Sequence, residues 1–278
     1  MFGAIAGDII GAPYEFHNIK TTDFDIFNKR TSFTDDTVML LANARWLLDS
    51  LNNPNKYSMD KLEECMVEFG EKYPNAGYGM KFRRWLFQYD SFFAADGKCA
   101  TKRMPYNSFG NGSAMRVIPV GWAFETIEET LRVAKISAEI THNHIEGIKG
   151  ARATASAIYL ARKGKSKKEI KSFIEQKFGY DLNRSCDEIR PHYEFNETCQ
   201  ETVPEAVIAF LDSSDFENAI RLAVSLGGDS DTLTCITGGI AEAFYGIPDN
   251  LKSFVNQFLT EDLKEVLDDF HKTFICKQ

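Results

Sequence analysis

"TSFTDDTVMLLANARWLL", residues 31–48, decides how this chain folds. From Asp36 onward, apolar side chains recur at three- and four-residue spacing, the period of a helix with one buried face. The same period returns along most of the chain, and clean two-residue alternation is scarce. The expected fold class is therefore all-α. The stretch also raises a chemical question. Helices commonly start on one Asp or Thr, because one side-chain oxygen satisfies a free backbone N–H. This one starts on Thr34, Asp35, Asp36 and Thr37 together.

The chain has 278 residues, enough to bury a substantial core, and reads as one domain over 1–278. Its 44% hydrophobic and 26% charged composition is that of an ordinary globular protein. The net charge of -8 argues against a non-specific grip on nucleic acid. The six cysteines, at 65, 99, 186, 199, 235 and 276, form no CxxC pair. They fit scattered reduced thiols in a cytoplasmic protein better than a disulfide framework or a zinc site. "MFGAIAGDIIGA" at the start is apolar but lacks a basic leader and is broken by Asp8. It reads as a buried helix rather than a signal peptide. No apolar run approaches the roughly 18 residues of a membrane span.

Capping boxes are expected at Asp60/Glu63, Thr126/Glu129 and Ser166/Glu169. Further helical patterns cover about 113–124, 142–163, 204–212, 215–226, 231–244, 250–259 and 261–274. The pattern at 148–163 is rich in Ala, Gly, Ser and Thr, small residues that let helices approach closely, which places it near the centre of the bundle. Residues 91–112 and 179–203 carry Gly, Pro and polar groups and read as loops, of a length that often serves function.

A second acidic cluster, "GGDSDTLTCIT" at 227–237, also stands at the threshold of an apolar helix. Ordinary N-capping accounts for either cluster alone. It accounts less well for the pair, since each offers two carboxylates and several hydroxyls within four residues. Crowded carboxylates repel unless cations or protons compensate them. If the two helix starts converge, their oxygen ligands suit Mg²⁺, Mn²⁺ or Ca²⁺ rather than zinc. Four carboxylates would suit two divalent ions better than one.

"FTDDTVM" (33–39) and "GGDSDT" (227–232) resemble the paired metal motifs of the ADP-ribosylglycohydrolase family. That family includes the dinitrogenase reductase-activating and ADP-ribosylarginine hydrolases. "GAIAGDIIGAPYEF" (3–16), "NSFGNGSAMRVIPVG" (107–121) and "GIAEAFYGIP" (239–248) extend the resemblance, in family order, over nearly the whole chain. The resemblance implies an orthogonal multi-helix fold with a binuclear Mg²⁺ centre, Mn²⁺ being an alternative. The implied reaction is hydrolysis of the glycosidic bond joining ADP-ribose to a protein side chain, arginine first among the acceptors. Thr34, Asp35, Asp36, Asp229, Asp231 and Thr232 would ligate the metals; Ser230 is not among the expected ligands. Glu15, Asp36 and Asp231 would carry catalysis. Ser108, Phe109, Gly110, Asn111, Gly112 and Ser113 would cradle ADP-ribose, with Phe109 stacking on adenine, and His142 would lie near the ribose or phosphates. Phe109 stands where the family pattern has Tyr, keeping the ring face and losing the hydroxyl.

The residues themselves support parts of this. Gly110 and Gly112 would allow positive φ and close ligand approach, and free N–H groups there would form an anion site. Asp8 is open to three roles: a cap, a support for the metal ligands, or a core pair. Arg116 either counters a diphosphate or forms a structural ion pair. Two rival readings stand beside the hydrolase: a different acceptor (serine, a nucleotide base or O-acetyl-ADP-ribose), and a non-catalytic binder or crystallin-like relative.

Overall fold

The structure, a computed structural model, describes residues 1–28, 31–51, 55–87 and 103–276. Helices follow one another as α1 (Phe2–Gly11), α2 (Asp35–Ser50), α3 (Met59–Lys72), α4 (Met80–Phe87), α5 (Gly112–Arg116), α6 (Ile118–Ala123), α7 (Ile127–Glu139) and α8 (Ile145–Arg162). Then come α9 (Lys167–Phe178), α10 (Cys186–Ile189), α11 (Cys199–Asp212), α12 (Phe216–Leu226), α13 (Ser230–Tyr245), α14 (Asp249–Val255) and α15 (Glu261–Phe270). Among the described residues there is no strand, only a lone β-bridge between Gly110 and Thr198. The fold is all-α, as the periodicity requires.

α13 is the axis. Every residue from Ser230 to Glu242 is buried, and α1, α8, α11 and α12 pack around it. α8, the small-residue helix, lies against α13 and also against α5, α6 and α11. α1 runs antiparallel to α13 at very short range, and the reason is a glycine at every fourth position. A Cβ on Gly3 would lie 2.5 Å from the Gly238 carbonyl oxygen, on Gly7 2.2 Å from that of Thr234, and on Gly11 2.4 Å from that of Ser230. Backbone cannot yield to such contacts, so this stripe sets the register of the two helices. That register brings the end of α1 to the start of α13.

Several boundaries differ from the sequence reading, for local reasons. α3 starts one residue before Asp60, with Ser58 as its cap accepting from Lys61 N at 3.3 Å. Ser58 has the extended backbone that a cap needs; Asp60 is already helical and places its charge in the favourable first turn. The segment 113–124 breaks at Val117 into α5 and α6, because Pro119 has no N–H to continue the ladder. Within 179–203, Ser185 and Glu188 form a reciprocal capping box that starts the short α10, and α11 begins at Cys199 with Pro204 inside it. Residues 91–102 of the expected loop lie outside the described residues. No helix among the described residues is long and apolar enough to cross a membrane.

Candidate metal centre and cleft

Asp8, one turn before the end of α1, is fully buried. It accepts hydrogen bonds from Thr34 N (3.0 Å), Thr34 Oγ1 (2.8 Å), Thr37 N (3.1 Å) and the Thr37 hydroxyl. Thr34 also caps α2, its Oγ1 accepting from Asp36 N at 3.3 Å. The N–H groups of Asp36 and Thr37 are therefore met by Thr34 and Asp8, and the carboxylate of Asp36 is surplus to capping. At α13, Asp229 occupies the cap position but makes no side-chain cap bond. Its Oδ2 instead accepts from Asn111 Nδ2 at 2.8 Å. Asp231 Oδ1 accepts from Thr232 N at 2.9 Å, so backbone bonding accounts for that oxygen and leaves the carboxylates of Asp36 and Asp229 unexplained.

The two helix starts converge. One oxygen each of Asp8, Asp36 and Asp231 lie within 4.8 Å of one another, and so do oxygens of Glu15, Asp229 and Asp231. Asp231 belongs to both sets. Asp36 Oδ1 is buried without a hydrogen-bond partner among the described residues, while its Oδ2 accepts from Thr232 Oγ1 at 3.1 Å. Burial, and then neighbouring carboxylates led by Asp231, push Asp35 and Asp36 well above the usual Asp range. Burial and then Asp229 do the same to Asp231. Asp229 is raised by burial to about 6. Such a cluster calls for protons or cations. The oxygen-only donors and the orphaned Asp36 oxygen fit hard divalent ions, and the shared Asp231 fits an adjoining pair.

Of the expected ligands, Asp36, Asp229 and Asp231 come together in these sets, joined by Glu15 and Asp8. Asp35 lines the cleft but belongs to neither set. The hydroxyls of Thr34 and Thr232 are bonded to Asp8 and Asp36. Ser230 Oγ is buried without a partner among the described residues.

Glu15 follows a short 3-10 turn, Ala12–Tyr14, after α1. Burial, then Asp231, Glu197 and Asp8, raise its carboxyl to about 8. Asn18 holds this segment: its Nδ2 donates to Tyr14 O (2.6 Å), Glu15 O (3.0 Å) and Gly228 O (2.9 Å), and its Oδ1 accepts from Gly228 N (2.8 Å). Gly227 and Gly228 both have positive φ, and a Cβ on Gly228 would meet the Tyr193 ring at 2.4 Å. This explains the two glycines before Asp229.

Above the carboxylates is a cleft of about 480 Å³. Glu15, Asp35, Asp36, Asp229 and Asp231 line it together with residues 108–112, His142, Glu197, Met80 and Phe82. The glycine-rich segment differs from expectation in two ways. Gly110 and Gly112 are not at positive φ; Asn107 is. Their value is room, since a Cβ on Gly112 would stand 3.4 Å from His142 Nε2. Nor are all the N–H groups free: Gly110 N donates to Ser108 Oγ (3.1 Å) and Asn111 N to Glu197 O (2.8 Å). Ser113 lies beneath, its buried hydroxyl donating to Gly147 O at 2.8 Å. Phe109 is 43% exposed and edges onto His144 at 5.3 Å. Arg116 is buried and donates to Ser137 O and Thr141 Oγ1, with no acidic partner among the described residues. The ion pair considered from sequence is therefore not formed among the described residues, while Arg116 does reach the lining of the cleft. Glu197 and Asn111's bond to Asp229 were not singled out by sequence reasoning; the polar loop at 179–203 was the one hint to the former.

An all-α bundle with a carboxylate-floored cleft between helix starts defines the class. Within that class, the family model for ADP-ribosylglycohydrolase matches residues 1–277, and the chain belongs to this family. An "ADP-ribosylhydrolase ARH3" of Gallus gallus is 25% identical, over 99% of this chain and 92% of the relative. One of Bos taurus is 27% identical over 88% and 83%. An "ADP-ribosylarginine hydrolase Tri1" of Pseudomonas putida (strain GB-1) is 24% identical over only 50% of this chain and 39% of its own. The solved structure titled "ADP-ribosylglycohydrolase-related protein complex" matches with a TM-score of 0.72, 24% identity, and coverage of 99% and 97%, which supports the fold. The family is metal-dependent in general and acts on ADP-ribosylated substrates.

Proposed function

We propose that this protein is a Mg²⁺-dependent hydrolase of the glycosidic bond between ADP-ribose and a protein side chain, with arginine the first acceptor to test. The observation that carries the reading is the pair of carboxylate sets sharing Asp231 at the floor of a cleft. The chain acts as one cytoplasmic domain over 1–278, with no resident partner required by the chemistry.

Asp8, Asp36 and Asp231 would hold one cation, and Glu15, Asp229 and Asp231 the other, with Asp35, Thr34 and Thr232 beside them. Mn²⁺ would substitute for Mg²⁺. When bound, such ions hold ribose hydroxyls and polarise water near the anomeric carbon. The chain's own groups do the rest. Residues 108–113 and His142 receive the diphosphate side of ADP-ribose, and Phe109 offers its exposed face to adenine. Glu15, half-buried over the carboxylates, orients a water toward the anomeric carbon and accepts its proton. The C–N bond to the acceptor breaks, hydroxyl adds to the sugar, and the proton taken up by Glu15 passes to the departing acceptor nitrogen. Positive charge developing on the sugar is favoured by Asp36 and Asp231 on the floor.

A second reading keeps the site and changes the acceptor. It is supported by the near-full-length relatives, which are named ADP-ribosylhydrolases, whereas the relative named an ADP-ribosylarginine hydrolase aligns with half the chain. The test is release of ADP-ribose from arginine- and serine-ADP-ribosylated proteins and from O-acetyl-ADP-ribose. Fastest release from arginine is expected. Preference for serine or the ester would move the acceptor and keep the chemistry. Binding of ADP-ribose with no release from any substrate would mark a non-catalytic binder and end the hydrolase reading.

A further inference from the structure

His142 is 4% exposed, yet its Nε2 faces the cleft wall, 3.4 Å from where a Cβ would stand on Gly110 and equally on Gly112. Among the described residues that nitrogen has no hydrogen-bond partner. The other ring nitrogen, Nδ1, is 2.7 Å from Thr141 Oγ1. Thr141 Oγ1 is in turn 2.8 Å from Arg116 Nη2. Arg116 is itself buried and anchored on the Ser137 carbonyl at 2.9 Å.

Burial fixes the directions of these bonds. A guanidinium only donates, so Thr141 Oγ1 must accept from Arg116. The hydroxyl oxygen has room to accept a second bond, from an Nδ1–H. Thr141 is fully buried, however, and its own hydrogen would then meet no acceptor among the described residues, so that hydrogen goes to His142 Nδ1. Nδ1 must then be the unprotonated nitrogen, and the ring proton must sit on Nε2.

We propose that Arg116 and Thr141 are positioning residues that lock His142 as its neutral Nε2–H tautomer, giving the glycine-rich wall a fixed, uncharged N–H donor for an anionic oxygen of the ligand. The identity of that oxygen as a phosphate of ADP-ribose rests on the function proposed above; the proton arrangement does not. The chain of bonds explains why a buried arginine is kept with no acid beside it: it supplies direction rather than charge pairing. It also explains the two glycines, whose missing side chains leave Nε2 open to the cleft. Burial and the nearby Arg116 charge both hold the imidazole below its usual protonation range, in agreement with an Nδ1 that accepts.

The arrangement is read by nitrogen NMR on ¹⁵N-histidine-labelled protein, with the His142 resonances identified by their loss in His142→Gln. Ligand-free wild-type protein near neutral pH is expected to show a pyrrole-like Nε2 and a pyridine-like Nδ1. Thr141→Val removes the hydroxyl at nearly constant volume. It should release the ring from the single tautomer and weaken ADP-ribose binding by roughly ten-fold or more, the loss typical of a hydrogen bond to a charged group. Thr141→Ser should restore both. A wild-type ring protonated on Nδ1, or on both nitrogens, would overturn the proposal without any variant. So would an unchanged Nε2–H tautomer in a folded Thr141→Val or Thr141→Ala protein. If the tautomer behaves as expected but wild-type protein fails to bind ADP-ribose, the positioning role stands and the proposed ligand falls.

Discussion

Removing divalent cations from this protein should make its stability fall as pH rises, the reverse of the usual acid denaturation. Asp229 is raised from 3.8 to about 6 by burial. Such a carboxyl binds its proton more tightly folded than unfolded. Its favourable contribution is complete below about pH 4 and is lost as pH climbs through about 6. The gap between 3.8 and about 6 corresponds to about 3 kcal/mol. Between about pH 5 and pH 8 roughly half of that remains to be lost. Asp35, Asp36 and Asp231 are raised further and add to it. At roughly 2–4 °C per kcal/mol for large domains, the melting temperature of chelator-stripped protein should drop by at least about 3–6 °C over that range. Surface carboxylates whose range is lowered by ion pairs, such as Glu125 with Lys163, act in the opposite sense, but exposed pairs contribute little. Mg²⁺ should recover the lost stability, and more of it at about pH 8 than at pH 5, because a cation takes the place of protons. The assay is calorimetry on stripped protein, with and without Mg²⁺, at both pH values. Asp36→Asn and Asp231→Asn should each raise the metal-free melting temperature at about pH 8 while abolishing turnover. A stripped protein whose stability is flat or rising with pH, and equally indifferent to Mg²⁺, would refute the idea that these carboxylates are held together against repulsion.

Other perturbations address single parts of the account. Glu15→Gln should bind ADP-ribose normally but lose roughly 10²–10⁴-fold in kcat; wild-type kcat in the folded variant would remove Glu15 from the chemistry. Gly112→Val should weaken ADP-ribose binding in titration calorimetry, because the new methyls reach His142 Nε2, and an unchanged Kd would count against a ligand at that wall. Gly7→Ala forces a methyl to 2.2 Å from the Thr234 carbonyl oxygen and should cost at least about 1–3 kcal/mol of stability by denaturant titration; a neutral result would mean that the glycine stripe does not set the α1–α13 register.

How much was legible in the sequence depended on whether the signal was local. Helix identity was, since periodicity and caps act within a few residues; Ser166/Glu169 forms the reciprocal box that its spacing announces. Boundaries failed where two candidates competed within one turn, as Ser58 did with Asp60. The carboxylate clusters were legible as an excess over what capping requires, and the structure makes that excess concrete: at α2 Thr34 and Asp8 meet the N–H groups of Asp36 and Thr37, and at α13 Asp229 makes no side-chain cap bond. Their meeting was not legible from the clusters themselves. It follows from the glycines at 3, 7 and 11, whose four-residue repeat was a readable sign of close helix contact. The partner helix, more than two hundred positions away, was not readable. Asp8's position is likewise a tertiary fact, because the four groups that donate to it all belong to Thr34 and Thr37. Gly110 and Gly112 carried a true signal with a different cause, space for His142 rather than backbone conformation.

The central claim is that the converging carboxylates hold divalent cations used to cleave an ADP-ribosyl linkage. The most direct measurement follows ADP-ribose release from arginine- and serine-ADP-ribosylated protein by enzyme stripped with chelator, as Mg²⁺ is added back. The account predicts no release from the stripped enzyme, saturable activation by Mg²⁺ or Mn²⁺, and no activation of Asp231→Asn. Undiminished release by enzyme shown to be metal-free by elemental analysis, or no release from either substrate at any Mg²⁺ concentration, would contradict it.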